Sequence, residues 1–194
     1  MEPKTIKFSQ TTLTELMIPS YANFGGKIHG GILLSLMDKA AYACALKHSG
    51  TYCVTVSVDG VEFLQPVEVG DLVSLEASVS YVGRTSLVVR IHVTAENVKD
   101  NTVKHTNNSY FTMVAKGEDG KPSEVPPLIL EDMEEIRRFI QVKKRKQLKK
   151  ELSDKMAKAF SKFIPTEDFH LLKGERCETK LSGGDEFSDL FADT

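Results

Sequence analysis

Residues 32–46, ILLSLMDKAAYACAL, constrain the fold of this chain more than any other stretch. The run has helical composition and is apolar on nearly every face, and a helix of that kind is stable only when it is covered all round. At 15 residues it falls short of the roughly 20 needed to cross a bilayer, and it carries Asp38 and Lys39. Its cover must therefore be protein. The texture after Gly50 says what kind. YCVTVSVDGVEF (52–63), LVSLEASVSYV (72–82), SLVVRIHVTAENV (86–98) and VKHTNNSYFTMVA (103–115) alternate and are rich in β-branched residues. Turn residues at Gly83-Arg84-Thr85 and Lys99-Asp100-Asn101 separate the later strands. Residues 4–18 read as one more strand ahead of the helix. One strand, one helix over about 30–48 and four strands in meander order predict an α+β fold, an antiparallel sheet wrapped around a single central helix.

Residues 1–128 thus read as one domain, 129–164 as a C-terminal helix and 165–194 as an acidic, mobile tail. The helix starts acidic and turns strongly basic at KKRKQLKK (143–150), the sense its dipole prefers. A length of 194 residues suits one domain plus an extension. The three cysteines, Cys44, Cys53 and Cys177, are odd in number and lack CxxC spacing, which fits free thiols in a reducing compartment. MEPKTIKFSQTTLTEL has no apolar core of the kind a secretory signal needs. The reading is a cytoplasmic protein.

Gly30 and Gly31 open the central helix with no Ser, Thr, Asp or Asn at the cap, so the first N–H groups have no obvious side-chain acceptor. Donors left open at a positive helix end suit an oxyanion hole. Asp38 stands seven residues past Gly31, roughly 10 Å along the axis. One carbonyl cannot touch both groups of one helix. Two copies with antiparallel central helices would bring the carboxylate of one to the helix start of the other, which predicts a site shared between subunits. Alternatives stay open at each residue. Asp38 could be a structural carboxylate bonded to backbone or to Tyr42, Asn23 a mere turn former, and the glycines a device for close packing. His29 and His48 lie nineteen residues apart, about 28 Å, and cannot share a metal. His92, His105 and His170 show no ligand spacing, so no metal is expected.

Asn23, His29-Gly30-Gly31 and Asp38 follow the pattern Asn-x5-His-Gly-Gly-x6-Asp, which resembles the signature of hot-dog-fold acyl-CoA thioesterases. VTVSVDGVEFLQPVEVGD and PPLILEDMEEIRRF are similar to that family too, and the likeness covers about residues 5–150. It implies a hydrolase of fatty acyl-CoA, with CoA as part of substrate and product and no cofactor required. Asp38 would be nucleophile or general base, Asn23 would position water or the thioester across a pair of hot-dog domains, and the amides of Gly30 and Gly31 would polarise the carbonyl. The resemblance further assigns the CoA nucleotide to Thr55-Val56-Ser57, to Arg84-Thr85-Ser86 and to Arg138 or Arg145. Arginine grips phosphate in a two-pronged fork, which agrees with that assignment. A homodimer with a continuous sheet is implied, assembling further to a hexamer.

KKRKQLKK has no interleaved aromatics and belongs to no known nucleic-acid motif, so a solvated helix face is the cheaper account. Neither nucleic acid nor membrane is expected as a partner. Two other functions fit the same fold. One is a non-catalytic acyl-CoA sensor or scaffold. The weaker other is a dehydratase or hydratase, which would need a histidine beside its carboxylate.

Overall fold

The computed structural model of the protein describes residues 1–164 and 168–178. They fall into two compact units, Met1–Arg145 and one that begins at Lys146. In chain order the first unit runs through β1 (Lys4–Thr5), α1 (Ile6–Ser9), β2 (Thr11–Leu16), α2 (Gly30–Ser49), β3 (Cys53–Asp59), β4 (Leu72–Val82), β5 (Ser86–Asn97), β6 (Thr102–Ala115) and β7 (Leu128–Ile129). The last helix, α3 (Met133–Phe160), begins in the first unit and ends in the second. The chain thus has the antiparallel sheet and the long central helix expected, with a C-terminal helix after them.

Three details differ from the sequence reading. Residues 4–18 are not one strand, because Thr5 caps a single helical turn at Phe8 N and breaks the alternation. The strand after the helix stops at Asp59, where Gly60 adopts φ 72° and turns the chain away. The last four strands are not a simple meander either. The sheet order is β2-β4-β5-β6-β3, so β3 pairs with β6 at one edge while β4 lies beside β2 near the other. The long connection from residue 60 to residue 71 makes that crossing possible.

Helix α2 buries Leu33, Leu36, Met37, Ala40, Ala41, Cys44, Ala45, His48 and Ser49, a stripe of helical period. Against it stand Val73, Leu75, Ala77 and Val79 of β4, Leu87, Val89, Ile91 and Val93 of β5, and Phe111 and Met113 of β6. These alternate along each strand, so one face of the sheet is the core face. Full burial of Leu33, Leu36 and Met37 contributes about 2 kcal/mol each. The opposite side of α2, with Leu34, Asp38 and Leu46, is exposed in the single chain. On the outer face of the sheet the first half of α3 sets Phe139 against Tyr81, with ring centroids 4.9 Å apart, and buries Val142.

The helix ends as its sequence suggests, at Gly50 with φ 75° and with Lys47 and His48 in the last turn. His48, however, is wholly buried. Its Nε2–H donates to the Pro126 carbonyl at 3.0 Å and its Nδ1 faces the Ser9 hydroxyl at 3.5 Å. One neutral ring therefore ties α1, α2 and the 126 loop together. Burial pushes its pKa below 6.5, and the Lys4 ammonium, bound to the His48 carbonyl at 2.7 Å, acts in the same direction. Between the lowered folded value and the unfolded one, the unfolded chain binds more protons. The stability His48 supplies is thus complete above about pH 6.5 and is lost as pH falls from there through the folded pKa. Thermal melting between pH 8 and pH 5 should decline more steeply for the native chain than for His48→Gln. Parallel curves would remove this residue from the acid response.

Among the described residues no helix is long and apolar enough to cross a membrane, and no group of three or more His, Cys, Asp or Glu could hold a metal ion. Cys44 and Cys53 are free and buried, and burial drives the Cys44 thiol up to about 12.

Candidate active site

The site grows from the turn that launches α2. Asn23 Oδ1 accepts from the backbone of Gly25 at 2.8 Å and of Lys27 at 3.2 Å, an Asx turn that reverses the chain. These bonds occupy the carbonyl oxygen of the side chain and leave its NH2 as the group on offer. Asn23 is both a turn former and an exposed donor. The chain then returns to the helix start through His29, whose N–H donates to the Tyr21 carbonyl at 2.8 Å.

The helix does have a side-chain cap, contrary to the sequence reading. His29 Nδ1 accepts from Gly31 N–H at 2.9 Å. A histidine can cap only while that nitrogen is unprotonated, so its proton sits on Nε2. Of the two glycine amides, Gly31 is therefore taken. Among the described residues nothing accepts the Gly30 N–H. A Cβ on Gly31 would come within 2.8 Å of the imidazole, and one on Gly30 within 3.1 Å of the Phe63 ring. A side chain at Gly31 would have to displace the capping imidazole, and one at Gly30 would press the Phe63 ring by a few tenths of an ångström. Phe63 is itself held there from a distance. Asn107 donates to the Glu62 carbonyl at 2.7 Å and Ser109 to the Gly60 carbonyl at 3.2 Å, while Leu64 N–H donates to Thr106 O. Three buried polar residues of β6 thus pin the 60–64 loop over the helix start.

Asp38 lies two turns further along α2 and is exposed in the single chain, not sunk in an apolar seam. Its position on the helix explains this, since the core stripe passes through Met37 and Ala41 and Asp38 points to the side that one chain leaves open. Its partner is neither backbone nor Tyr42. Thr55 of β3 donates its hydroxyl to Asp38 Oδ1 at 2.7 Å, and Tyr42 instead meets Tyr52 edge-on at 6.1 Å between centroids. Thr55 stands where β3 is irregular: it pairs with Met113 and Ser57 with Thr112, so Val56 is an extra residue bulging from the edge strand, 56% exposed. This bond restrains the carboxylate through Oδ1, and among the described residues none donates to Oδ2.

The residues expected to hold the CoA nucleotide are spread along the sheet. Thr55 is committed to Asp38. Arg84, Thr85 and Ser86 form the tip of the β4–β5 hairpin, where the Ser86 carbonyl accepts from Gly83 N–H and the Thr85 carbonyl from Ala115 N–H. The Arg84 guanidinium lies 3.7 Å from Glu124 and is largely in solvent. Arg138 Nε donates to Glu134 at 2.8 Å, and Arg137 holds the same carboxylate through two bonds of 2.7 Å. With Arg137 and Arg138 bonded to it, Glu134 is driven down to about 2. Arg145 lies 4.7 Å over the Tyr110 ring. Ser86 pairs with Val114, four residues from Tyr110 along β6 and so about 13 Å away. One chain does not gather these groups into a single pocket.

Comparison with known proteins places this geometry. The thioesterase superfamily model matches residues 25–101, the span from the turn through β5. Helicobacter pylori protein VdlD is 44% identical over 137 residues, covering 71% of this chain and 78% of that protein. The crystal structure of an apo-hexameric acyl-CoA thioesterase superposes with a TM-score of 0.76 at 35% identity, covering 79% of this chain and 98% of the other. The chain belongs to the thioesterase superfamily. Within it, the mouse cytosolic acyl coenzyme A thioester hydrolase is 34% identical over 146 residues, and the chain spans 38% of that longer protein. An acyl-CoA hydrolase from Staphylococcus aureus, seen with butyryl coenzyme A and coenzyme A, is 30% identical with a TM-score of 0.71, covering 82% of this chain and 99% of that one. The same enzyme has been characterised with an asparagine, an aspartate or a threonine replaced by alanine.

Sequence reasoning had singled out Asn23, the glycines and Asp38, and foresaw neither the His29 cap nor the bond from Thr55 to Asp38. The histidine directly before Gly30-Gly31 was the available signal for a cap. For Thr55 there was none, since a threonine in a strand is ordinary and only the fold brings β3 beside α2.

Proposed function

We propose that this thioesterase superfamily member hydrolyses the thioester of fatty acyl-CoA, releasing CoA and a carboxylic acid. The observation that carries the reading is the bond between Thr55 and Asp38, with Asn23 at the helix start. Asn23, Asp38 and Thr55 stand at intervals of 15 and 17 residues, the spacing of the asparagine, aspartate and threonine replaced in the Staphylococcus aureus enzyme. Asp38 Oδ2 takes a proton from water as the oxygen bonds to the thioester carbon. Charge gathers on the carbonyl oxygen and meets the Gly30 N–H, joined by Gly31 if His29 yields it, while the Asn23 NH2 orients water or thioester. The C–S bond then breaks and the thiolate takes the proton. Attack by Asp38 itself, through an anhydride, is the other route, and oxygen label from water appearing in the Asp38 carboxylate on a single turnover marks it. The reaction is redox-neutral and calls for water alone, with CoA arriving on the substrate.

Gly30 and Asp38 are about 12 Å apart along one helix, so the reading needs a second copy. The exposed side of α2 and the free edge of β3 lie on either side of Asp38 and are the surfaces such a copy would cover, in a dimer that assembles to a hexamer as the apo-hexameric relative does. Covered, the carboxylate would stand in the low-dielectric setting that makes it reactive. Arg84, Thr85, Ser86, Val56, Ser57, Arg138 and Arg145 would meet the CoA nucleotide from more than one chain. The relation to the mouse cytosolic enzyme supports a cytoplasmic place for the reaction.

Thiol release from acyl-CoA esters of graded chain length tests the proposal, and turnover with at least one ester is the expected result. Saturable acyl-CoA binding without release would replace it with the sensor reading. Thr55→Ala should lower kcat about ten- to a hundredfold while KM stays within a factor of about three, because it frees the carboxylate to rotate without touching CoA. A change in KM alone would return Thr55 to the nucleotide.

A further inference from the structure

The second half of α3, in the unit that begins at Lys146, has no part in the chemistry proposed above. Leu148, Leu152, Met156 and Phe160 recur at every fourth position and are 63, 58, 45 and 68% exposed. At about 100° per residue they fill one arc of about 120°, with Ala159 inside it. Lys155 borders that arc on one side and Lys146 on the other, Lys149 falls inside it near the Phe160 edge, and Lys150 and Lys158 lie toward the opposite face. Phe163 and Ile164, 54 and 44% exposed, extend the apolar surface just past the last turn. From Lys146 to Ile164 there are six lysines against Glu151 and Asp154.

An apolar stripe edged by ammonium groups selects among occupants. A second copy of the helix would bring lysine borders against lysine borders, and like charges oppose that pairing. Nucleic acid would satisfy the lysines but leave leucine, methionine and phenylalanine in water. An anionic bilayer surface satisfies both halves at once, headgroups taking the ammonium groups while the stripe enters the acyl boundary, with lysine stems long enough to reach back. We infer that α3 from Lys146 to Phe160 is a docking surface for an anionic lipid bilayer. The sequence reading took KKRKQLKK for a solvated face because it lacks interleaved aromatics and matches no nucleic-acid motif, and it did not follow the apolar positions onward to Phe160. The helix lies on the surface and does not cross it, in keeping with its composition. Fatty acyl-CoA and its fatty acid both partition into bilayers, so docking would hold the enzyme where they collect. The inference stands apart from the thioesterase reading, since vesicle binding is measured without turnover.

Flotation of the full chain with vesicles of phosphatidylcholine, with and without about 30% phosphatidylserine, tests it. The chain should float with the anionic vesicles alone and release as salt rises to about 500 mM. Leu148→Asp with Leu152→Asp should cut the bound fraction about tenfold, and Lys146→Glu with Lys149→Glu and Lys155→Glu by a similar factor. Both sets should keep the helical circular dichroism and the release of thiol from a short-chain acyl-CoA. Absence from anionic vesicles at low salt would overturn the inference. So would binding that survives the leucine changes, which marks simple polyanion attraction, or a smaller assembly after them, which marks a contact between copies.

Discussion

Asp38→Asn abolishes thiol release from every acyl-CoA the native chain hydrolyses, with kcat down by at least about three orders of magnitude. Asparagine keeps the shape of the side chain and can still accept from the Thr55 hydroxyl, so neither α2 nor the contact with β3 is disturbed. It loses the ability to take a proton from water and to act as an oxygen nucleophile. Asp38 is on the open side of α2 and outside the core stripe, so the change leaves the folded core untouched. Size-exclusion chromatography should return an unaltered assembly, and calorimetry should return CoA binding within a few-fold of native. Turnover at the native rate in this variant would reject Asp38 as the reacting group. Loss of turnover accompanied by loss of assembly would leave Asp38→Ser and Asp38→Glu to be compared. A catalytic role predicts that glutamate retains a trace of activity and serine none.

Much of this arrangement was legible before any coordinates. The apolar run 32–46 reads as a helix from its composition, and the alternating segments after it read as a sheet from their period, because each strand must bury one face. The sheet order was not legible. Whether β3 joins β4 or β6 depends on a connection that crosses the sheet, and nothing local in residues 60–71 encodes the far partner. Gly30, Gly31 and Asp38 could be picked out because each breaks a local rule, glycines in a first turn and an aspartate in a greasy helix, whereas Asn23 before glycines is an ordinary turn former and stood out only through the resemblance. Thr55 and Phe63 break none, and they join the site only through tertiary packing. Asp38 is exposed in one chain although its helix is apolar on nearly every face. An apolar helix tells how much of it must be covered, not whether its own chain supplies all of the cover.

That difference between one chain and its cover bears on the largest remaining effect. Mixing two inactive variants, Asp38→Asn and Asn23→Ala, and allowing subunits to exchange restores thiol release to about a quarter of the native rate. The reasoning is geometric. Asn23 precedes the start of α2 and Asp38 lies two turns beyond it, so they are separated by more than about 10 Å of helix and cannot meet the same carbonyl within one chain. In a dimer with antiparallel central helices, each site takes its aspartate from one copy and its asparagine from the other. A mixed dimer then holds one site with both residues intact and one with neither. Random exchange makes half of the dimers mixed, each with one working site of two. Asn23→Ala alone should fall about a hundredfold, since it removes the positioned NH2 and also the acceptor of the Gly25 and Lys27 amides. Asn23→Asp separates those two losses, because a carboxylate still accepts both amides but offers no donor. Exchange that yields only the sum of the two residual rates would mean that each site is built within one chain, and the division of labour between subunits would have to be abandoned even if Asp38 is the reacting group.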